Sequence, residues 1–369
     1  MRTSLPVELV LELPFATEGL PGVGGQLRAS PEDFVVEEIP LYQPQGEGQH
    51  LYVNLTKVGL TSREVQKGLA QLFGVRPRDV GLAGMKDKHA RTTQTFSLNL
   101  GYMADSVLEE APARIQAALP VTVNWVQRHR NKLKRGHLLG NRFRIRIRGL
   151  ALPVDQALER AQAIVQAIRE RGLPNYYGPQ RLGRQGDNVR RGRGLLRGEW
   201  RTRDRWLRQF LLVSYQSYLC NRYLARRLEE GLFDRILAGD VAKKHDTGGL
   251  FDVEDPEAEQ PRYQRQEISF TAPMYGRKMR PAQDEAAALE ARVLEEAGVR
   301  LEELVQAGVS GTRRLGRILA PDLSVAPLED GLEVTFSLPK GAFATTVLRE
   351  IMKVGYAELA HAPSGGEDD

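Results

Sequence analysis

The sequence predicts an α+β protein of two lobes, on three observations. NRFRIRIRG at 141–149 alternates strictly between apolar and basic residues, as a half-buried strand does. Capped, amphipathic segments of helical period stand among such strands. Between them and a closing strand and helix lies a loop-rich stretch of weak period, from about 231 to 282, which reads as a separate lobe. The length of 369 residues fits two to three domains, with two the working count.

The elements follow in order. DFVVEEIPLY and HLYVNLTKVG read as two strands joined by the loop QPQGEGQ. Thr61 and Glu64 have capping-box spacing ahead of SREVQKGLAQLFG, where Val65, Leu69 and Leu72 keep helical period and Gly74 with Pro77 supplies the stop. VGLAGMKD is apolar, turns at KDKH and resumes as TTQTFSLNL, so a charged cluster sits on a connection beside a strand. In NRFRIRIRG, Phe143, Ile145 and Ile147 point one way and the four arginines the other. DQALERAQAIVQAIRERG is a helix with Leu158, Ala161, Ile164 and Ile168 on one face, ended by Gly172 and Pro174. FLLVSYQSYLCNRYLARRLEEG is a long helix ending at Gly231, and DEAAALEARVLEEAG a strong helix former. LEVTFSLPKGAFATTVLREIMKVG gives a strand, a turn and a last helix, and APSGGEDD a frayed tail.

Composition excludes several classes. Apolar residues make up 41% and charged residues 27%, the mix of a globular chain. Cys220 is the single cysteine, so an intramolecular disulfide and a cysteine-rich zinc site are excluded, and a reducing compartment fits. Glu8 and Glu12 interrupt the apolar stretch that a signal peptide needs, and no run reaches the length of a membrane span; the expected location is the cytosol. The six histidines show no metal-ligand spacing, and there is no GxxxxGK[ST] loop and no GxSxG elbow. A net charge of +5 says little alone, but its placement says more. From 111 to 154 there is no acidic residue, while ten arginines face Asp187, Glu199 and Asp204 between 181 and 208. A face of one sign repels itself unless a polyanion is present, which points to nucleic acid, and to RNA because aromatic residues accompany the basic ones.

Three blocks could carry chemistry. Asp87 stands between Lys86 and Lys88, cations that favour a carboxylate able to act as nucleophile or to stabilise a cationic centre. On composition alone, a solvated charged turn is the commoner reading. In LPNYYGPQRLGRQGDN, Asn175, Tyr176, Tyr177, Gln180 and Arg181 combine ring faces, amides and a phosphate-binding cation, which suits an unstacked nucleotide as well as it suits a loop packed on the core. Phe343 opens the last helix and faces either core or ligand.

Together, SPEDFVVEEIP at 30–40, GLAGMKDKHARTTQ at 81–94, LKRGHLLGNRFRIRIRG at 133–149, NYYGPQRLG at 175–183 and LPKGAFATTVLRE at 338–350 resemble the TruD family of tRNA pseudouridine synthases, in order and in chemistry, from about 28 to 355. The resemblance implies a catalytic domain on a mixed, mostly antiparallel sheet flanked by helices, at 1–199 and 321–369, interrupted by an inserted α/β (TRUD) domain at 200–320. It implies isomerisation of a uridine in tRNA, at position 13, without cofactor or metal, membrane or obligatory protein partner. By the same resemblance Asp87 is the catalytic carboxylate, Phe34, Asn175, Tyr177 and Phe343 line the pocket of the flipped nucleotide, Lys86 keeps the aspartate ionised or contacts the substrate's phosphate, and Arg181 contacts phosphate. RNA is expected in the cleft between the lobes, its backbone on Arg142, Arg144 and Arg146. Tyr177 departs from the family's Phe, so a hydroxyl must find a partner. The competing reading is a non-catalytic RNA-binding protein or RNA chaperone using the same basic surface; a methyltransferase is a distant third, for want of a glycine-rich cofactor loop.

Overall fold

The computed structural model describes residues 9–27 and 29–355; the tail at 362–369 and His361 lie outside them. Along the chain run β1 (Gln26–Leu27), β2 (Phe34–Pro40), β3 (His50–Lys57), α1 (Ser62–Leu72), β4 (Val80–Leu82), β5 (Arg91–Asn99), α2 (Asp105–Ala118), β6 (Val121–His129), β7 (Leu138–Arg148) and α3 (Val154–Arg171). Then come β8 (Leu173–Pro174), α4 (Pro179–Leu182), α5 (Asp187–Arg197), α6 (Arg205–Glu229), β9 (Val241–Lys244), β10 (Leu250–Asp252), α7 (Pro256–Gln264) and β11 (Ile268–Met274). The chain continues through α8 (Asp284–Glu296), α9 (Leu301–Gln306), β12 (Thr312–Leu315), β13 (Arg317–Ile318), β14 (Ser324–Leu328), β15 (Gly331–Pro339) and α10 (Ala344–Met352). It divides into two compact units: one takes in 22–165 and 320–344, the other 166–319 with the described residues before 22 and after 344.

The first unit is built on a nine-stranded sheet of order β14-β15-β7-β2-β5-β3-β6, with β1 added to β7 and β4 to β5. Every pair is antiparallel except β2 with β5, so the sheet is mixed and mostly antiparallel, as expected. β2 and β3 follow one another in sequence but not in space, because β5 inserts between them. Thr61 caps α1 as predicted, its hydroxyl accepting from the Glu64 N–H while the Glu64 carboxylate accepts from the Thr61 N–H. Val65 and Leu69 of α1 and Ala111 and Ile115 of α2 close a core over Leu51, Val53 and Leu55 of β3 and Phe96 and Leu98 of β5. The α2 and β6 segments carry no reading from the sequence; Pro112 lies inside α2 and blurs its signature.

β7 alternates as its pattern requires, with Phe143, Ile145 and Ile147 buried. The expectation that its arginines lack neutralising acids is corrected for two of the four, Arg146 and Arg148. Arg146 pairs with Glu333 at 3.0 Å, and Arg148 with Asp33 at 3.0 Å and with Asp330. Those acids come from distant segments that strand pairing brings alongside, which a local charge count does not see.

In the second unit the long helix α6 buries Cys220 completely, and burial pushes its thiol up to about 12, as suits an inert structural cysteine. The stretch read as loop-rich holds most of a four-stranded sheet, β10-β9-β11-β12. All seven residues of its central strand β11 are buried, so no alternation marks it in the sequence. Several arginines here are internal. Arg227 pairs with Asp240 at 2.8 Å, both side chains fully buried, and Arg317 lies 3.5 Å over the Tyr263 ring while donating to two backbone carbonyls. Among the described residues no helix is long and apolar enough to cross a membrane, and no cluster of His, Cys, Asp and Glu could hold a metal.

Candidate active site

The Lys86–Asp87 loop leaves β4 at Leu82 and returns as β5 at Arg91. Three polar side chains grip its backbone. Lys57, at the end of β3 and 1% exposed, donates through Nζ to the carbonyls of Leu60 at 2.7 Å, Asp87 at 2.8 Å and Lys86 at 3.4 Å. Ser62 Oγ, in the first turn of α1, accepts from the Lys86 N–H at 2.8 Å and donates to Gln94 Oε1 at 2.6 Å. Gln94 in turn donates to the Gly84 carbonyl at 3.2 Å. The half-buried Asp87 accepts the His89 N–H on Oδ1 at 2.9 Å, an Asx turn that fixes the carboxylate on its own loop. Burial pulls the Lys57 ammonium down to about 8, Asp87 and Glu64 working against that fall and Lys86 adding to it.

Lys86 is turned inward. Its Nζ pairs with Glu38 Oε2 at 3.0 Å, and each side chain is 3% exposed. Lys86→Met should therefore leave a buried carboxylate without its cation and destabilise the protein by about 3 kcal/mol, read as a lower melting temperature. An unchanged melting temperature would show that the pair contributes nothing to stability. Phe34 is fully buried at the start of β2, on the same face of that strand as Val36 and Glu38. Phe343 is half-buried, just ahead of α10. β2 pairs with β7 so that Glu38 lies beside Asn141 and Glu37 beside Arg142. Arg142, Arg144 and Arg146 thus occupy the sheet face opposite Glu38, the residue that holds Lys86.

Asn175, Tyr177 and Arg181 belong to the second unit. Asn175 is 2% exposed; its Oδ1 accepts from Arg314 Nη2 at 2.7 Å and its Nδ2 donates to the Leu315 carbonyl at 2.9 Å. The Arg314 guanidinium also lies 3.9 Å from the centroid of the Tyr177 ring. Asn221 of α6 holds the Tyr177 backbone from both sides, accepting its N–H at 2.8 Å and donating to its carbonyl at 2.9 Å. The Tyr177 hydroxyl donates to Met274 Sδ at 3.6 Å, the partner that the extra oxygen requires. Arg181 lies over Phe210 at 5.7 Å.

The chain matches the family model of tRNA pseudouridine synthase D (TruD) over residues 11–204 and 202–351. It belongs to the TruD family. Over 359 residues it is 46% identical to the tRNA pseudouridine synthase D of Anaeromyxobacter sp. (strain Fw109-5), covering 95% of this chain and 99% of that protein. Over 355 residues it is 44% identical to the tRNA pseudouridine synthase D of Thermus thermophilus, covering 96% of each. A solved structure of the putative tRNA pseudouridine synthase D of Methanosarcina mazei shares the fold, with TM-score 0.75, 24% identity and coverage of 94% of this chain and 97% of that one. The TruD chain is accordingly an isomerase by family. The sequence reading missed its Glu38, Lys57, Ser62, Gln94, Asn221 and Arg314. One signal was present: Lys57 is in phase with Leu51, Val53 and Leu55, which places a lysine on the core face of β3.

Proposed function

We propose that the chain converts a uridine in tRNA to pseudouridine, at position 13, with Asp87 as the catalytic carboxylate and no cofactor. The observation that carries this is the support of the Asp87 loop, whose backbone is held by Lys57 and Ser62 and whose carboxylate is oriented by the His89 N–H. Two hydrogen bonds from outside the short loop and one within it are the preorganisation that catalysis on a sugar carbon needs.

The reaction breaks the N1–C1′ bond, forms a C5–C1′ bond, removes the C5 proton and returns a proton to N1, so composition is unchanged and no external electron or group is required. Asp87 either attacks C1′ directly or assists formation of a glycal; both routes use the same carboxylate. The target nucleotide is flipped from its stack, with Asn175 on the base edge and Tyr177 beside its ring. Arg314, which donates to Asn175 and lies over the Tyr177 ring, holds the two residues together. Phe34, Phe343 and Arg181 complete the assigned set, and Lys86 supports the loop through Glu38. The catalytic domain is assigned to 1–199 and 321–369 and the inserted domain to 200–320.

Purified protein incubated with an unmodified tRNA transcript in chelator, without nucleotide, is expected to yield pseudouridine at one position by chemical mapping. Absence of product, or product only after a metal or nucleotide is added, would overturn the proposal.

A further inference from the structure

A second feature of the first unit lies beside the same loop. A groove of about 330 Å³ is lined by Arg63 and Gln66 of α1, Arg78, residues 80–82 of β4, Met85, and Lys132, Leu133, Lys134 and Arg135. Five of these side chains are cationic and none is acidic. Arg63, Arg78, Lys134 and Arg135 are exposed and Lys132 is half-buried. Among the described residues no carboxylate lies within 4 Å of the charged groups of Arg63, Arg78, Lys132 or Lys134.

The basic wall is built rather than incidental. Leu133 is 4% exposed and its N–H donates to Ser97 Oγ at 2.9 Å, while the Gly136 N–H donates to the Ala83 carbonyl at 2.8 Å. Gly81 lets this segment lie directly on β4, since a Cβ there would meet the Leu133 carbonyl oxygen at 2.1 Å. The segment is thereby pinned through its apolar residue, which places Lys132 and Lys134 on the wall of the groove. Lys132 is further fixed by donating to the Arg78 carbonyl at 2.6 Å. The nearby Asp79 carboxyl is held below its ordinary value, first by the Arg76 hydrogen bond and then by the charges of Arg76, Arg78 and Lys132.

We infer that this groove binds the sugar-phosphate backbone of the substrate RNA, next to the nucleotide that Asp87 acts on. The inference rests on the proposed reaction for its choice of polyanion. Its volume suits about one nucleotide, and Met85 at its wall is two residues from Asp87. A groove whose Arg63, Arg78, Lys132 and Lys134 have no carboxylate in reach among the described residues attracts phosphate without reading sequence. It replaces Arg142, Arg144 and Arg146 as the backbone path: those lie on the sheet face opposite Glu38, and Arg146 is already paired with Glu333.

The test is Arg63→Gln, Arg78→Gln and Lys134→Gln combined, three exposed positions, against Arg142→Gln with Arg144→Gln. Both are made in the full chain and checked for an unchanged melting temperature; the single variant Lys134→Glu serves if the triple does not fold. Dissociation constants for a tRNA transcript and for an unrelated single-stranded RNA are measured across salt concentrations, beside kcat and KM. The triple variant should weaken binding of both RNAs by about tenfold or more and reduce the salt slope by about 2. KM should rise and kcat should hold, while the Arg142 and Arg144 pair changes little. Unchanged affinity and slope in the triple variant, an equal loss in the pair, or displacement of RNA by polyglutamate as effective as by RNA itself would overturn the inference. Because binding is read separately from turnover, failure of the isomerisation reading and failure of the groove are distinguishable.

Discussion

Asp87→Asn is expected to lower kcat for uridine isomerisation by more than about 1,000-fold, with tRNA affinity within about twofold of the parent and an unchanged melting temperature. The substitution is chosen for what it keeps. Asn retains an Oδ1 that can accept the His89 N–H, and the main-chain oxygen of residue 87 still receives the Lys57 ammonium. What is lost is the negative charge and, with it, the ability to attack or stabilise an electron-poor sugar carbon. Asp87→Ala also removes the Asx turn, so its effect mixes chemistry with loop shape. Single-turnover conversion of labelled tRNA, beside a binding measurement, separates the two. Full activity in Asp87→Asn would remove the carboxylate from the mechanism, whereas binding without conversion by the parent itself would favour the reading of a non-catalytic RNA-binding protein.

The parts of the fold that the sequence announces are those whose determinants are local. The Thr61 and Glu64 box, the alternation of β7 and the strand-turn-helix at the chain end each rest on neighbours within a few residues. What escapes is set by pairing across the chain. β11 is buried on both faces and so has no alternation to display, and the acids that meet Arg146 and Arg148 come from segments more than 100 residues away. The same division runs through the candidate site. Asp87 and Asn175 stand in compact motifs, whereas Arg314 reaches Asn175 across 139 positions and Glu38 reaches Lys86 across 48. A cation count likewise cannot tell an arginine over a buried tyrosine, as Arg317 is, from one lining a groove, as Arg78 does.

Lys57→Met is expected to reduce kcat by about 100-fold at neutral pH with little change in KM, since displacement of a catalytic loop by even about 1 Å carries a penalty of that order. Methionine fills nearly the same space but donates nothing, so the carbonyls of Leu60, Lys86 and Asp87 lose their shared donor. The pH dependence gives this a signature that a purely structural residue would lack. Lys57 titrates near 10.5 in an unfolded chain and at about 8 in the folded one, because burial disfavours its charge. Between those two pH values the unfolded state binds more protons, so the contribution of this group to stability increases as pH rises through the window. Below about pH 8 the buried charge opposes folding in full. Activity has the opposite sign, because the charged donor that clamps the Asp87 loop is lost as pH passes about 8. The parent should therefore show a falling kcat limb above about pH 8 without a matching fall in melting temperature, and Lys57→Met should lack that limb. Identical high-pH profiles in the two proteins would show that the ammonium does not position the catalytic loop.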